Sequence, residues 1–374
     1  MQDQKQVVEA MLKPEAYTQD PGKIELIQTH ISFVFITRNY VYKVKKAVNF
    51  GFLDFSTLDK RHFFCEKELE LNRRLCPEIY LEVVPIKKSG VIKVDGEGET
   101  IEYALKMKRL PQERIMSDLL KENKVNKKTI NDIAQIVAQF HSKAQTNPEI
   151  SQFGSLKIVK TNWDENFDQT TKYINQTIPQ TEFQFIQTEI NSFMSKNTLL
   201  FESRIADKRI RDCHGDLHSG NIFITDKICI FDAIEFNDRF RYSDVAADVA
   251  FLAMDLDFQK RSDLADYFIE RYLAYSKDRQ LLKLLRFYKC YRAYVRGKVI
   301  SFRLDDPNIT QEEKAFATKE AEAYFKLAAE YAKDLYRVIF GIGQLPNPGS
   351  ESSPSRLAFG GSRCLQSSLT PELS

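Results

Sequence analysis

The sequence predicts an α+β chain of two lobes, a small antiparallel-sheet lobe first and a larger, mostly helical lobe second. Three observations carry that expectation. A chain of 374 residues is long enough for one large core or two modest ones. Its apolar residues follow a strand period up to about residue 108 and mainly a helical period after it. The helical stretches are interrupted by one polar loop set against two short apolar runs, CHGDLHSGNIFITDKICIFDAIEF, at 213–236. The expected divisions are therefore 1–108, 109–342 and a terminal segment, 343–374.

A short amphipathic helix opens the chain. In GKIELIQTHISFVFITRNYVYKVKK, β-branched and aromatic residues dominate and Arg38-Asn39 makes a turn, which predicts antiparallel strands at roughly 23–28, 31–37 and 40–46. The next stretch, STLDKRHFFCEKELELNRRLC, begins on a Ser/Thr cap signal. It repeats Phe64, Leu71 and Leu75 at helical spacing and stops at Pro77. LEVVPIKK, GVIKV and IEYALKMKRL are the remaining strand candidates. After them NKKTINDIAQIVAQFHSKAQ carries the stripe Ile130, Ile133, Ile136, Val137 and Phe140, and 182–196, 243–276, 279–303 and 311–340 also have helical patterns. From Gly343 the chain is rich in Ser, Pro and Gly, which predicts a disordered tail.

Composition excludes some partners. Lys+Arg 54 against Asp+Glu 52 leaves a formal net charge of +2, so no overall field draws the protein to nucleic acid or to a membrane. No apolar run is long enough to span a bilayer, and MQDQKQVVEAMLKPEAY lacks the apolar core of a signal peptide. The six cysteines form no C-x-x-C pair, which predicts reduced, buried thiols in a cytoplasmic protein rather than a disulfide frame or zinc site.

The polar loop points to phosphoryl transfer. That reaction asks for a carboxylate to orient the attacking hydroxyl, hard oxygens for magnesium and a cation on the phosphates. HGDLHSGN places Asp216 and Asn221 at the spacing of the protein-kinase loop H-R-D-x-x-x-x-N, with Gly215 in place of its Arg, and Asp232 follows the hairpin. HGDLHSGNI followed by FDAIEF and SDVAADVAF resembles the aminoglycoside phosphotransferase-like family of small-molecule kinases, over about residues 20–340. RIRDCHGDLHSGNI, FDAIEFN and LDFSTLDKR are similar to a bacterial branch of that family.

The resemblance implies a bilobal, protein-kinase-like fold, ATP and Mg²⁺, and a small-molecule hydroxyl as acceptor. It makes Asp216 the catalytic base, supported by His214, and makes Asn221 and Asp232 the Mg²⁺ ligands. Asp244 and Asp248 match the family's downstream D-x-x-x-D, with Asp248 bracing the loop as His214 does. Glu235 stands near Asp232.

Kinase logic also requires a strand lysine held by a helix glutamate. Alternation puts Val41, Lys43 and Lys45 on one face. The family pattern aligns best with YVYK and selects Lys43, with Lys45 as runner-up. Glu68 is the expected partner, with Glu66 and Glu70 competing. QTHISF contains no glycine, so Thr29 and Ser32 are expected to meet the phosphates in place of a Gly-rich cradle. The adenine is expected at LKMKRLP, against the backbone of Met107 to Arg109. No GxxxxGK[ST] occurs, so the P-loop module that some relatives carry is absent from this sequence.

For the acceptor, TNWDENF (161–167) holds the single tryptophan, and YKCYRAYVRGKV (288–299) offers Tyr288, Tyr291, Arg292, Tyr294, Arg296 and Lys298 to a sugar or an anion. Asp238, Asp255 and Asp257 are candidates for a cationic acceptor. Core packing and solvation are the competing accounts of all these residues. A kinase acting on a protein or other macromolecule and a nucleotide-binding regulator without turnover are the alternative functions. Deleting 345–374 is expected to leave the melting temperature nearly unchanged; a large drop would mean that the tail packs.

Overall fold

The computed structural model describes residues 2–51, 53–307 and 309–335. The expected tail lies outside them, as does the end of the helix expected over 311–340.

Helix α1 (Gln2–Met11) precedes a meander of β1 (Glu25–Gln28), β2 (Ser32–Ile36) and β3 (Tyr40–Lys45), within two residues of the expected bounds. Helix α2 (Leu58–Arg73) starts where Thr57 caps it, accepting from the Lys60 N–H. Strands β4 (Tyr80–Ser89), β5 (Val91–Val94) and β6 (Glu99–Lys108) complete an antiparallel six-stranded sheet ordered β1-β2-β3-β6-β4-β5.

Strand alternation gives β3 two different faces. Tyr42 and Val44 pack with Phe35, Ile86, Ala104 and Met11 of α1 in one apolar cluster. Lys43 and Lys45 look the other way, toward α2. Gln4 holds α1 to this strand, its amide N–H donating to the Lys45 carbonyl at 2.9 Å and to Glu102 at 2.8 Å.

The second lobe begins with α3 (Met116–Lys121), α4 (Lys127–Lys143), α5 (Pro148–Ser151) and α6 (Leu156–Thr170). It continues with α7 (Gln180–Lys196), α8 (Thr198–Ala206) and β7 (Ile210–Asp212). The polar loop leads into the hairpin β8 (Ile222–Ile224) and β9 (Ile228–Ile230), then α9 (Asp238–Arg241) and β10 (Tyr242–Asp244). Helices α10 (Val245–Phe258), α11 (Ser262–Ser276), α12 (Leu282–Ser301) and α13 (Gln311–Lys333) follow.

Two sequence expectations are corrected and one unexpected helix is added. The single helix expected over 243–276 is three elements, because β10 pairs with β7 and a left-handed Lys260 (φ +62°) breaks the chain between α10 and α11. Helix α6 lies outside the expected helices, although Leu156, Val159, Trp163 and Phe167 stand at helical spacing in its sequence. It forms because Trp163 and Phe167 pack against Tyr294 of α12, with ring centroids 5.6 and 5.2 Å away. The cysteines are not all reduced: Cys76, after α2, and Cys229, in β9, form a disulfide with Cα atoms 5.1 Å apart, while Cys65, Cys213 and Cys290 are free and buried. Folding brings that pair together across 153 residues of chain, a separation that no local spacing announces.

Among the described residues, no helix is long and apolar enough to cross a membrane. Helix α10 is buried on every side from Val245 to Leu256, the pattern of a central helix. Its start is anchored by the fully buried Arg204 of α8, which donates to both oxygens of Asp244 at 2.7 and 2.6 Å and to Asp278 at 2.6 Å.

Arg204→Ala would strand two buried carboxylates, and a loss of about 3–5 kcal/mol in urea unfolding is expected. A loss below about 1 kcal/mol would mean that solvent reaches the pair.

Candidate active site

The loop between β7 and β8 turns on Gly215, whose φ of +86° suits glycine. A Cβ there would also stand 2.9 Å from the Phe240 carbonyl. The Arg of the protein-kinase loop therefore has no room here. Asp248, at the buried start of α10, accepts from the backbone N–H of His214 at 2.7 Å and of Gly215 at 2.9 Å. Burial opposes ionisation of Asp248, but the hydrogen bond and charge of His141, together with His214 and Arg292, hold its pKa at about 2.

His214 is buried. Its Nδ1 accepts from the Asp216 N–H at 3.2 Å and its Nε2–H donates to the Phe231 carbonyl at 3.0 Å. Burial lowers its pKa against the pull of Asp248, so the neutral ring joins loop to hairpin. Asp255, buried in α10, takes the Ser219 N–H at 2.8 Å. Arg292 of α12 donates to the Gly215 carbonyl at 2.9 Å.

These supports leave the Asp216 side chain about one third exposed, at 35%. Asn221 Nδ2 donates to the Asp216 carbonyl and to its Oδ2, both at 3.0 Å, so the amide oxygen is the end available to a ligand. The recess opposes ionisation of Asp216, but His218 beside it, with Arg296 and His214, holds the carboxyl well below its usual range. Asp232 follows β9 in a left-handed conformation (φ +64°), a strained geometry for a non-glycine residue.

From the sheet, Lys43 Nζ reaches Glu68 at 2.8 Å and Asp232 at 2.7 Å. Lys45 Nζ reaches Glu68 at 2.7 Å and also Glu235. Both lysines thus share Glu68, whereas Glu66 and Glu70 are exposed. Burial disfavours both ammonium groups, but Asp232 and Glu68 at Lys43, and Glu235 and Glu68 at Lys45, raise both pKa values above the ordinary one. Sequence reasoning missed the Lys45–Glu235 pair. Alternation placed Lys45 on the right face, but nothing local showed that Glu235 would enter the sheet instead of standing by a metal.

Three further expectations change. Ser32 is fully buried beneath its turn, so of the expected phosphate-loop pair only Thr29 lines the cleft. Thr29 Oγ1 itself caps the turn, accepting from the Ser32 N–H at 2.9 Å. At the connector Met107 sits between Val41 and Tyr80, while the Lys108 and Arg109 N–H groups already donate to Ile79 and Asn39 carbonyls, each at 2.9 Å. The adenine contact expected from those two N–H groups is therefore not available in this state. Asp238, Asp255 and Asp257, candidates for a cationic acceptor, bond Arg241, the Ser219 N–H and Lys289 instead.

A cavity of about 950 Å³ runs from Thr29 and Lys43 past Asp216 and Asp232 to α6 and α12. A sequence profile of the phosphotransferase enzyme family matches residues 65–285, and the chain belongs to that family. Uncharacterized proteins of Mycobacterium tuberculosis and Mycobacterium bovis are 30% identical to it over 334 residues, 89% of this chain and 64% of theirs. The chain thus spans 64% of the length of the curated relatives it matches. Among solved structures, a choline/ethanolamine kinase family protein from Mesorhizobium loti aligns with a TM-score of 0.48 at 12% identity, covering 88% of this chain and 99% of that one. Plasmodium vivax ethanolamine kinase aligns with a TM-score of 0.41 at 14% identity, covering 82% of this chain and 81% of that one.

Lys45→Met would leave Glu68 and Glu235 buried with one cation fewer, and about 3–5 kcal/mol of stability should be lost. Lys43→Met, at the open edge of the same network, should cost distinctly less. Equal losses in chemical unfolding would refute the division of labour between the two lysines.

The depressed pKa of Asp248 stabilises the fold above the unfolded value of 3.8, and that contribution fades as pH falls toward about 2. Asp248→Asn should therefore cost on the order of 2 kcal/mol at neutral pH, with the gap to wild type narrowing below pH 4. A gap constant down to pH 2.5 in urea titrations would contradict this.

Proposed function

We propose that the protein transfers the γ-phosphoryl group of ATP to a hydroxyl of a small molecule, with Mg²⁺ as cofactor. The observation that carries this reading is the convergence of Asp216, Asn221, Asp232 and Lys43, the last two linked at 2.7 Å across 189 residues of chain. The size of the cavity, about 950 Å³, supports a small-molecule acceptor.

Asp216 orients the acceptor hydroxyl and takes its proton late, as the new bond to phosphorus forms. Its lowered pKa keeps it ionised at neutral pH, so it acts chiefly as a fixed hydrogen-bond acceptor. The Asn221 amide oxygen and the Asp232 carboxylate are hard oxygen donors, the set that suits Mg²⁺. When bound there, the metal neutralises charge on the nucleotide phosphates. Lys43 adds a positive charge beside the phosphates, held in place by Glu68. The acceptor oxygen bonds the γ-phosphorus as the β–γ bridging bond breaks, ADP departs with that electron pair, and the hydroxyl proton passes to Asp216. This reading puts the enzyme in the cytoplasm, where ATP and Mg²⁺ are supplied.

With radiolabelled ATP and a metabolite extract, Asp216→Ala should lower transfer by about 10³-fold or more while nucleotide affinity stays within about twofold. Wild-type turnover in that variant would overturn the assignment. ATP should raise the melting temperature only with Mg²⁺, and Asp232→Asn should abolish that dependence.

A further inference from the structure

The acceptor half of the cleft is built from α6, α9 and α12. Helix α12 lends it Arg292, Arg296 and Lys298. Arg292 is already used on the Gly215 carbonyl. Arg296 lies over the Tyr324 ring at 5.5 Å. Lys298 Nζ donates to Asn166 Oδ1 at 2.6 Å and to Gln169 Oε1 at 2.7 Å, both uncharged amides. An ammonium group has three donors, so one remains.

The nearby carboxylate, Glu165, is held by both arms of Arg239 at 2.7 and 2.5 Å. Among the described residues, the ion pairs within 4 Å include no partner for Lys298 or Arg296. Burial pushes the Lys298 pKa down to about 8, with Glu165 opposing that shift and Arg239 reinforcing it. The same wall carries a buried donor without a partner among the described residues, the Nε1–H of Trp163. Of the other carboxylates lining the cavity on this side, Asp168 is exposed to solvent and Asp244 is bonded to Arg204. A half-buried cation bonded only by neutral oxygens gains most from a charged acceptor.

We propose that the acceptor is an anionic hydroxyl compound, whose carboxylate or phosphate is held by Lys298 on the α6–α12 wall while its hydroxyl meets Asp216. This rests on the phosphotransferase reading above, and it names the charge of the substrate. A cationic acceptor would meet Lys298 as a repulsive neighbour in the same space.

The test is calorimetric titration of protein saturated with Mg²⁺ and a non-hydrolysable ATP analogue, using sulfate as the phosphate probe and acetate as the carboxylate probe. At least one probe should bind saturably, and the tighter one identifies the anion. Lys298→Gln should weaken that binding by about tenfold or more, and Lys298→Arg should restore most of it. Equal melting temperatures of the three proteins will separate this effect from misfolding. Saturable binding of neither probe, or binding unchanged in Lys298→Gln, would overturn the proposal. Failure of the analogue to bind would instead count against the kinase reading, and the same probes titrated into nucleotide-free protein would still compare wild type with Lys298→Gln.

Discussion

The structure depends on a buried chain of charges that crosses from one lobe to the other. Glu235 bonds Lys45, Lys45 bonds Glu68, Glu68 bonds Lys43, and Lys43 bonds Asp232. Lys45 and Glu68 are almost wholly excluded from water, so neither tolerates the loss of its partner. Such a network adds little to stability compared with an apolar core of the same volume. What it determines is register. Strand β3, helix α2 and the segment after β9 can approach each other only where every charge has its partner, and that position lines the cleft with Lys43 and Asp232. The Ala233 N–H donating to Asn72 at 2.9 Å and Arg74 reaching Asp212 at 2.9 Å fasten the same seam on either side.

A second constraint acts on the polar loop. A loop buried against helices must have its backbone groups satisfied. Here the helices supply the partners: two oxygens of Asp248, one of Asp255 and the Arg292 guanidinium. This explains why α10, otherwise apolar and buried on every side up to Leu256, carries Asp248 and Asp255. With its backbone so occupied, the loop can hold Gly215 in a left-handed conformation and present Asp216 to the cavity, with the buried Asn221 bonded behind it and the strained Asp232 lining the same cavity.

The acceptor wall follows a different logic, because no fixed motif specifies it. Aromatic packing between α6 and α12 sets the distance between those helices, and the polar residues between the rings then face the cavity. Trp163 stands 5.2 Å from Tyr291 and 5.6 Å from Tyr294, which leaves Asn166 and Gln169 opposite Lys298. The charge of that wall is a consequence of packing, and Arg292 of the same helix ties the wall to the polar loop at the Gly215 carbonyl.

Local patterns in the sequence determined a great deal. Strand alternation separated Lys43 and Lys45 from Tyr42 and Val44, Thr57 marked the start of α2, and HGDLHSGN with Asp232 marked the cleft. Each of these signals lies within a few residues, where spacing alone sets which side chains share a face. Tertiary structure decided the rest: which of three glutamates meets the lysines, that Glu235 binds Lys45, that Ser32 is buried, that Cys76 finds Cys229, and that 243–276 is broken into three elements. In each of those cases the partners lie on separate elements or the boundary depends on a distant strand. Only the packing of elements against one another determines such meetings, because a residue's own neighbours in sequence carry no record of what will be folded against it.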